Sequence, residues 1–455
     1  MEQMPFRITG SMNQSAKPNV LIVGAGAVAH VAAHKCEENN DILGDICIAS
    51  RKKAKCDAII KSVHRKKSLK NKKGRLYARQ VDAMNLSEMK RLIKSTRSSI
   101  VLNLGTAYIN MAVLEACIRT KTVYLDTSAY EVPDRISDDP PWYANHEWRR
   151  KGRCKKAGIT AILSIGFDPG VVNVYAEYAK KHYFDEIDTI DILDVNAGSH
   201  GRYFATNFDP EINLREFTGT NWQWIDRRWV ARPVHTEKWT YNFPVVGKCA
   251  VYLNGHDELH SLYRFLNPKS VRFWMGFGDH YLNVFSVLYN TGMLSEKPVK
   301  TAEGVRAVPI KIIKAVLPEP ASLAKTYAGL TCIGNLMKGW KNGKWKELFI
   351  YNICDHAKCY REVESQAISY TAGVPPVAAA ILVAKGIWNP RTMVNVEELD
   401  PDPFLKQLSK MGLSTKVKII PKSKHGKDGM PKAAADPKAK VQSRYPIAVP
   451  ARTKK

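Results

Sequence analysis

The stretch Val20-Leu-Ile-Val-Gly24-Ala-Gly26-Ala-Val-Ala29-His30-Val-Ala-Ala decides how the rest of the chain is read. Four apolar residues, two glycines two positions apart and a run of small residues spell strand, tight turn and helix. This is the first βα turn of a dinucleotide-binding fold, G-x-G-x-x-G/A, with Gly24, Gly26 and Ala29 in its three small-residue positions. The first glycine permits the turn, and the second lets backbone approach a pyrophosphate. Ala29 keeps the helix close to the strand. The backbone of Gly24, Ala25, Gly26, Ala27 and Val28 then faces the anion.

Outward from this turn, Asp45-Ile-Cys-Ile-Ala-Ser50-Arg51-Lys52 reads as a second strand, ending where such a domain meets the adenosine ribose. An acid there binds both ribose hydroxyls. Ser50, Arg51 and Lys52 suit a 2′-phosphate instead, Arg51 offering a planar fork and Ser50 a short donor. The expected cofactor is NADP(H). Leu76 to Asp82 reads as a third strand, and Asn85-Leu-Ser-Glu88 as a capping box opening a helix through Ile93. Ser99 to Asn103 is a fourth strand, followed by Leu104-Gly105-Thr106 and a helix from Asn110 to Arg119. Thr122 to Asp126 is a fifth, and Ile159 to Ser164 a sixth. This alternation implies a parallel sheet with right-handed crossovers, whose ligands bind outside the carboxyl ends of the strands. Asp82, Gly105, Thr106 and Asp126 are thereby placed beside the cofactor. Val132 to Cys154, with Pro140-Pro141, reads as a surface excursion.

After Gly166-Phe-Asp168-Pro169-Gly170 the pattern changes. Pro169 fits the first turn of a helix running to Tyr183, and Asp168 fits its N-cap. Ile187 to Val195 alternates, Ile190 and Ile192 against Asp191 and Asp194, which predicts a half-exposed strand. Short strands and aromatics fill 196–350, as in an α+β domain with a mostly antiparallel or mixed sheet. From Ser365 the chain turns helical and buried. From Lys416 it carries Lys, Pro and Ala without periodicity, which predicts disorder. The expected fold is α/β. Its parts are a flexible N-terminus (1–18), a Rossmann-type parallel-sheet domain (19–165) and an α+β substrate domain (166–364). A helical segment (365–415) returns to the first domain, and a basic tail (416–455) follows.

Composition narrows the function classes. Apolar residues make up 45% and charged residues 25% of the 455, as in a soluble globular protein. Val20 to Ala33 is too short to span a bilayer. Met1 to Asn19 has no apolar leader, and nine cysteines is an odd count at irregular spacing. Both point to a reducing, cytoplasmic setting. Of the net charge of +26, Arg51 to Arg75 holds +11 and Lys416 to Lys455 holds +10. These runs read as a solvated helix and tail, since no nucleic-acid-binding motif accompanies them. Cys354-x-His356-x-x-Cys359 lacks the second ligand pair of a zinc site, so no metal is expected. The serines and histidines form no nucleophile elbow.

Gly24-Ala-Gly26, Gly166-Phe-Asp168-Pro169-Gly170 and Ser365-Gln-Ala-Ile-Ser-Tyr-Thr371-Ala-Gly373-Val-Pro375 together resemble the saccharopine dehydrogenase-like reductases. Asn196-Ala-Gly-Ser-His200-Gly201, the run from Ala205 to Asn213, Arg272-Phe-Trp274-Met and Asp355-His-Ala-Lys-Cys-Tyr-Arg361 are similar to their carboxynorspermidine (carboxyspermidine) dehydrogenase branch, as is the ending Asn395 to Phe404. The resemblance spans residues 19 to 413. It implies NADPH-dependent reductive coupling of aspartate β-semialdehyde to a diamine, 1,3-diaminopropane or putrescine, in a homodimer. The family usually has more glycine in the first turn than Ala27 and Ala29 provide, and glycine where Glu364 stands.

An imine-forming reductase needs no protein nucleophile, because the amine attacks the aldehyde. It needs acids for the ammonium groups, a cation for the α-carboxylate and a proton shuttle. Asp168 is the candidate acid for the substrate amine, and His200 the candidate acid/base. Asn196, Arg202 and Glu211 line the expected pocket, and Arg215 or Arg361 clamps the carboxylate. Trp222, Trp224 and Trp229 stack on an alkylammonium or belong to the core. Two other readings are a saccharopine-type reductase and a catalytically inactive nucleotide-binding protein with a nucleic-acid-binding basic surface.

Overall fold

The computed structural model describes residues 17–66, 74–132, 138–421 and 430–441. The expected flexibility of 1–18, apart from Lys17 and Pro18, the centre of the first basic run and most of the tail lie outside the described residues.

β1 (Asn19–Val23), β2 (Ile46–Ser50), β3 (Leu76–Gln80), β4 (Ser98–Asn103), β5 (Val123–Asp126) and β6 (Ala161–Leu163) form a parallel sheet. Their order is β6-β5-β4-β1-β2-β3, and Met393–Asn395 joins β6 as a seventh parallel strand at the edge. Helices α1 (Ala27–Glu38), α2 (Lys53–Arg65), α3 (Leu86–Thr96) and α4 (Asn110–Thr120) cross between strands. Val20, Leu21 and Ile22 are fully buried because both faces of the sheet are covered, hence the unbroken apolar run. α3 opens at Asn85, whose side chain accepts from Ser87 N and Glu88 N. Glu88 reaches back to Asp82 N at 3.1 Å, closing the turn after β3.

The second sheet is mixed. Glu186–Asn196 lies at its centre, parallel to Ser270–Gly276 on one side and antiparallel to Leu330–Lys341 on the other. This corrects the expected half-exposed strand. Asp191 stands opposite Arg272 in register, and its carboxylate accepts Arg272 Nε at 2.6 Å, Nη2 at 2.8 Å and Trp274 Nε1 at 3.0 Å. A buried charge is tolerated there because both carboxylate oxygens accept from donors, one of them a guanidinium that neutralises it. Ile190, Ile192 and Asp194 face the first domain.

Three other expectations change. The helix after β6 begins at Val171 with Gly170 as its N-cap, φ +134°, so Pro169 precedes the helix and Asp168 does not cap it. The excursion 132–154 packs inward: Tyr143 and Cys154 are buried, and Tyr143 donates to Ser164 Oγ at 2.7 Å. The tail is not disordered where it is described. Lys416–Ile419 pairs antiparallel with Leu348–Tyr351, and Ala434 packs among Trp239, Trp274 and Phe349. Arg232 donates to Ala433 O, Asp436 O and Ala439 O, fastening this segment to the outer face of the sheet.

Helix Ala367–Ala384 is apolar and long enough to cross a membrane, yet 83% of its apolar window is buried inside the fold. It lies against α1. A Cβ at Gly373 would stand 2.7 Å from Val31 Cβ and 2.8 Å from Val28 O, so only glycine admits this approach. Lys35 of α1 pairs with Glu38 and Glu362, and the Tyr370 ring lies 5.1 Å from its Nζ. The dinucleotide helix and the returning segment are thus one packed unit.

Candidate functional site

At the carboxyl end of the first sheet, Gly24 adopts φ +118° and donates its N–H to Ala49 O at 2.9 Å. A Cβ there would meet Leu104 O at 2.5 Å, so the turn is wedged between β2 and β4 and demands glycine. At Gly26 a Cβ would meet nothing within 4 Å. The open space above Gly26, beside the free N–H groups of the first turn of α1, is what a pyrophosphate needs. No acid lies in that first turn, and Ala27 and Val28 are half-buried. Gly105 is exposed and Thr106 half-buried at the end of β4, next to the Gly24 turn.

Arg51 and Lys52 are exposed past the end of β2, with no acid alongside in the chain until Asp57, which Lys53 holds at 2.9 Å. Ser50 donates its hydroxyl to Lys52 O at 3.0 Å, shaping the turn that presents both cations. These residues fit a dinucleotide with a 2′-phosphate. Asp82 is exposed and accepts from Met84 N. Asp126 sits otherwise: it is buried, accepts from Tyr124 Oη and Ser164 N, and is raised by burial to about 7. It ties β5 to the turn after β6.

The rest of the described basic run is largely paired. Lys55 meets Glu319, Arg75 meets Asp45, and Arg65 and Lys66 meet Glu364. Glu364, with φ +55°, occupies a left-handed position that suits glycine. It gains instead Arg65 and a hydrogen bond from Ser62, and the Arg65 guanidinium holds its carboxyl down to about 2. It is an interdomain tie.

Between the two sheets lies a buried cluster of acids. Asp168 comes from the turn after β6, Asp194 from the central strand, Glu216 from the end of helix Pro210–Glu216, and His256, Asp257 and Glu258 from the turn after strand Gly247–Asn254. Burial and the neighbouring Asp194 push Asp168 well above the usual carboxyl range. Asp194 is raised to about 7 by burial, with His256 and a hydrogen bond from Asp168 opposing the rise. The two carboxyls share a proton. His256 stacks on Phe273, ring centroids 4.0 Å apart. Its Nε2 faces Glu216 at 2.6 Å and its Nδ1 faces Glu258. Burial works against its charge, but Glu258 and Glu216 outweigh it and keep the imidazolium. Asp257 accepts from Ala129 N at 2.7 Å and is raised by burial to about 8.

Arg215 lies next to Glu216 at the edge of this cluster. It is buried over Tyr108 and pairs with Glu131 and Glu296. Burial raises Glu131 to about 7, against the pull of Arg215. Glu211 pairs with Lys314 at 3.1 Å.

Beyond Asp194 on the same strand, Asn196 donates to Tyr327 Oη at 2.5 Å, and its Oδ1 lies 2.9 Å from His356 Nε2. His356 stacks face to face with Tyr327 at 3.8 Å, and its Nδ1 accepts from Ala367 N. His356 therefore turns away from Cys354 and Cys359, whose sulfurs stand 3.2 Å apart. His200 meets the edge of the Tyr327 ring, and its Nδ1 accepts from Arg202 N; burial lowers it from its ordinary value. Arg202 is exposed. Arg361 is exposed as well, its carbonyl accepting from Lys66. Trp229 and Trp142 stack on opposite sides of the buried His260. Trp224 contacts Trp229 and Tyr263, so this pair packs inside the fold.

Asp168 and Arg215 are thus brought together with residues that the sequence reading left out: Asp194, Glu216, His256, Asp257, Glu258 and Glu131. One signal was legible. His256-Asp257-Glu258 places three titratable residues directly after an apolar strand and before a helix.

Comparison with known proteins bears on this pairing of sites. The saccharopine dehydrogenase NADP binding domain matches residues 20–162, and the saccharopine dehydrogenase C-terminal domain matches residues 166–413. A carboxynorspermidine synthase of Vibrio cholerae serotype O1 is 47% identical over 400 residues, covering 88% of this chain and 96% of its own. A carboxyaminopropylagmatine dehydrogenase of Synechocystis sp. is 42% identical over 402 residues, covering 87% and 96%. In fold, the chain is similar to apo saccharopine dehydrogenase (L-Glu forming) from Saccharomyces cerevisiae, with a TM-score of 0.64 at 16% identity over 89% of this chain and all of that one. With both domains matched in order and relatives at 42% and 47% identity over most of their length, the chain belongs to the saccharopine dehydrogenase family of NADP-dependent oxidoreductases.

Proposed function

We propose that this protein joins an amino aldehyde to a diamine and reduces the product with NADPH. The substrates are L-aspartate β-semialdehyde and 1,3-diaminopropane or putrescine, and the products carboxynorspermidine or carboxyspermidine. The observation that carries the reading is the buried acid cluster reached from the turn after β6, in a chain whose second strand ends in exposed Arg51 and Lys52. A site for polyamine chemistry must attract cations, and Asp168, Asp194, Glu216, Asp257 and Glu258 outnumber His256 and the acid-paired Arg215 there. The relatives named for carboxynorspermidine and carboxyaminopropylagmatine are both named for amine products.

Gly24, Ala25, Gly26, Ala27 and Val28 hold the pyrophosphate, and Arg51 and Lys52 the 2′-phosphate. Bound NADPH supplies the hydride. The chain's own residues do the rest. Asp168, its carboxyl raised by burial and by the neighbouring Asp194, exchanges the proton: as the carboxylate it takes one from the attacking ammonium, and as the acid it returns it to the departing hydroxyl. Arg215 is held beside the cluster by Glu131 and Glu296, and His200 with Asn196 lines the outer mouth of the site. The protein works in the cytoplasm, consistent with its nine cysteines being free thiols, and as a homodimer, as the family resemblance implies.

The experiment is NADPH oxidation followed by absorbance, with each substrate omitted in turn. Oxidation that requires both L-aspartate β-semialdehyde and a diamine is the expected result. No oxidation with any diamine or with agmatine overturns the reading. Oxidation with a longer α-amino aldehyde alone makes the protein a saccharopine-type reductase.

A further inference from the structure

We propose that the recess formed by Asp194, Glu216, His256 and Glu258 receives the far ammonium of the amine substrate. Asp194 and Glu216 meet the charge, and His256 is a positioning residue that holds Glu216 and Glu258 in place. The inference rests on the amine-coupling reading above and assigns the part of the site that tells a diamine from a monoamine.

Four observations carry it. Both ring nitrogens of His256 are engaged by carboxylates and its ring lies flat on Phe273, so it is fixed in place and has no nitrogen left to offer a substrate. Glu258 is fully buried, yet its Oε1 has no hydrogen-bond partner among the described residues; Asp194 is 8% exposed, and its Oδ1 likewise receives no donor. Buried carboxylate oxygens of this kind lose their hydration without compensation unless a cation arrives. Arg215, the next cation along the wall, is already engaged by Glu131 and Glu296.

The last observation is the arrangement. Asp168 belongs to the turn after β6, on the side of the dinucleotide sheet, whereas Asp194, Glu216 and His256 belong to the second domain. An extended amine with its reacting nitrogen at Asp168 therefore directs its other end toward His256. The acceptors there come from separate segments and gather around His256. That arrangement suits an ammonium with three divergent N–H groups better than a flat guanidinium, which favours one carboxylate in its own plane.

The test compares 1,3-diaminopropane with propylamine, which lacks the second charge, in steady-state assays of the full-length protein with NADPH and aldehyde saturating. For the native protein kcat/KM is expected to fall by about 100-fold or more with propylamine, as a site built for a polar group rejects the analogue lacking it. Asp194→Asn and Glu216→Gln are each expected to raise the KM for diaminopropane roughly tenfold or more and that for propylamine far less, with Asp194→Asn also changing kcat for both amines through its hydrogen bond with Asp168. The ratio between the two amines then collapses. His256→Gln is expected to raise the same KM with kcat held within about threefold, as befits a positioning residue. NADP binding, followed by fluorescence, reports that each variant is folded. A ratio unchanged in both carboxylate variants that still bind NADP overturns the proposal.

Calorimetry separates this failure from failure of the coupling reaction itself. Diaminopropane is titrated into the NADP-loaded protein without aldehyde. Binding that Asp194→Asn abolishes supports the recess whatever the aldehyde, and no binding to the native loaded protein overturns it.

Discussion

Between Gly24 and Val28 the groups proposed to hold the cofactor are backbone N–H groups, contributed by consecutive residues. In the acid cluster the proposed substrate groups are carboxyl side chains, contributed by the turn after β6, the central strand of the second sheet, a helix end and the turn at His256. The difference governs how each site fails. A backbone site depends on φ, ψ and open space, so most side chains there are interchangeable and one or two glycines are not. A side-chain site depends on the proton count and on partners held by distant segments, so exchange of one oxygen for nitrogen alters it.

The largest effect is expected within the first site, where two glycines play unlike parts. Gly24→Ala places a Cβ 2.5 Å from Leu104 O at φ +118°, and is expected to lower stability by about 2–4 kcal/mol and to abolish NADPH binding. Gly26→Ala, with no atom within 4 Å of its Cβ, is expected to melt like the native protein and to weaken NADPH alone. Thermal melts with and without NADPH check both. Equal destabilisation by the two substitutions breaks the distinction between a turn that needs glycine and a surface that needs room.

An intermediate effect sharpens the same site. Arg51→Ala is expected to raise the Kd for NADPH by about 10–100-fold through loss of a charge-assisted fork, and that for NADH by less than about twofold. Titration of both cofactors by fluorescence decides it. Equal weakening means that Arg51 does not read the 2′-phosphate.

The smallest effect addresses the buried acids between the domains. Glu147 is raised by burial to about 8, with Asp126 adding to the rise, and its Oε1 accepts from Tyr130 N. A carboxyl raised in the folded state holds a proton that the unfolded chain releases above its ordinary value. Its contribution to stability therefore falls as pH climbs from that value to about 8. Glu147→Gln removes the titration and is expected to be the more stable protein at pH 8 by about 1–2 kcal/mol, with the advantage gone near pH 5. Urea midpoints across this range measure it. An advantage that grows toward acid pH refutes the burial of a protonated Glu147.

The two sites were also unequally legible from sequence. The first sheet announced itself because strands covered on both faces are short unbroken apolar runs, and Gly24 and Gly26 mark the turn by type alone. Strand ends in the first domain fell within a residue or two. The second domain hid its acids. Asp191 alternates with Ile190 and Ile192 as a residue on a wet face does, while Asp194 shares the isoleucines' face, and nothing local records that Arg272 and Trp274 stand ready to satisfy Asp191. Asp168 was legible by its place after the sixth strand, but Glu216 and Glu258 gain their meaning only from His256, which long-range pairing brings between them. The tail was misread for a related reason. Its Lys-Val-Lys-Ile strand looks solvated because it is an edge, and its anchor, Arg232, lies in another part of the chain.

The seventh strand of the first sheet has a consequence for how the protein is made. β6 ends at Leu163, but the strand that covers its outer edge begins at Met393, and the helix that seals α1 begins at Ala367. During synthesis the dinucleotide sheet therefore emerges early and stays unfinished while the whole second domain is translated. One edge remains unpaired and one helix uncovered until the last hundred or so residues appear. Premature termination anywhere in the second domain leaves not a free-standing cofactor domain but an open sheet edge, the kind of surface that chaperones bind and that aggregates. The two catalytic halves are in this sense completed together, by the same closing segment.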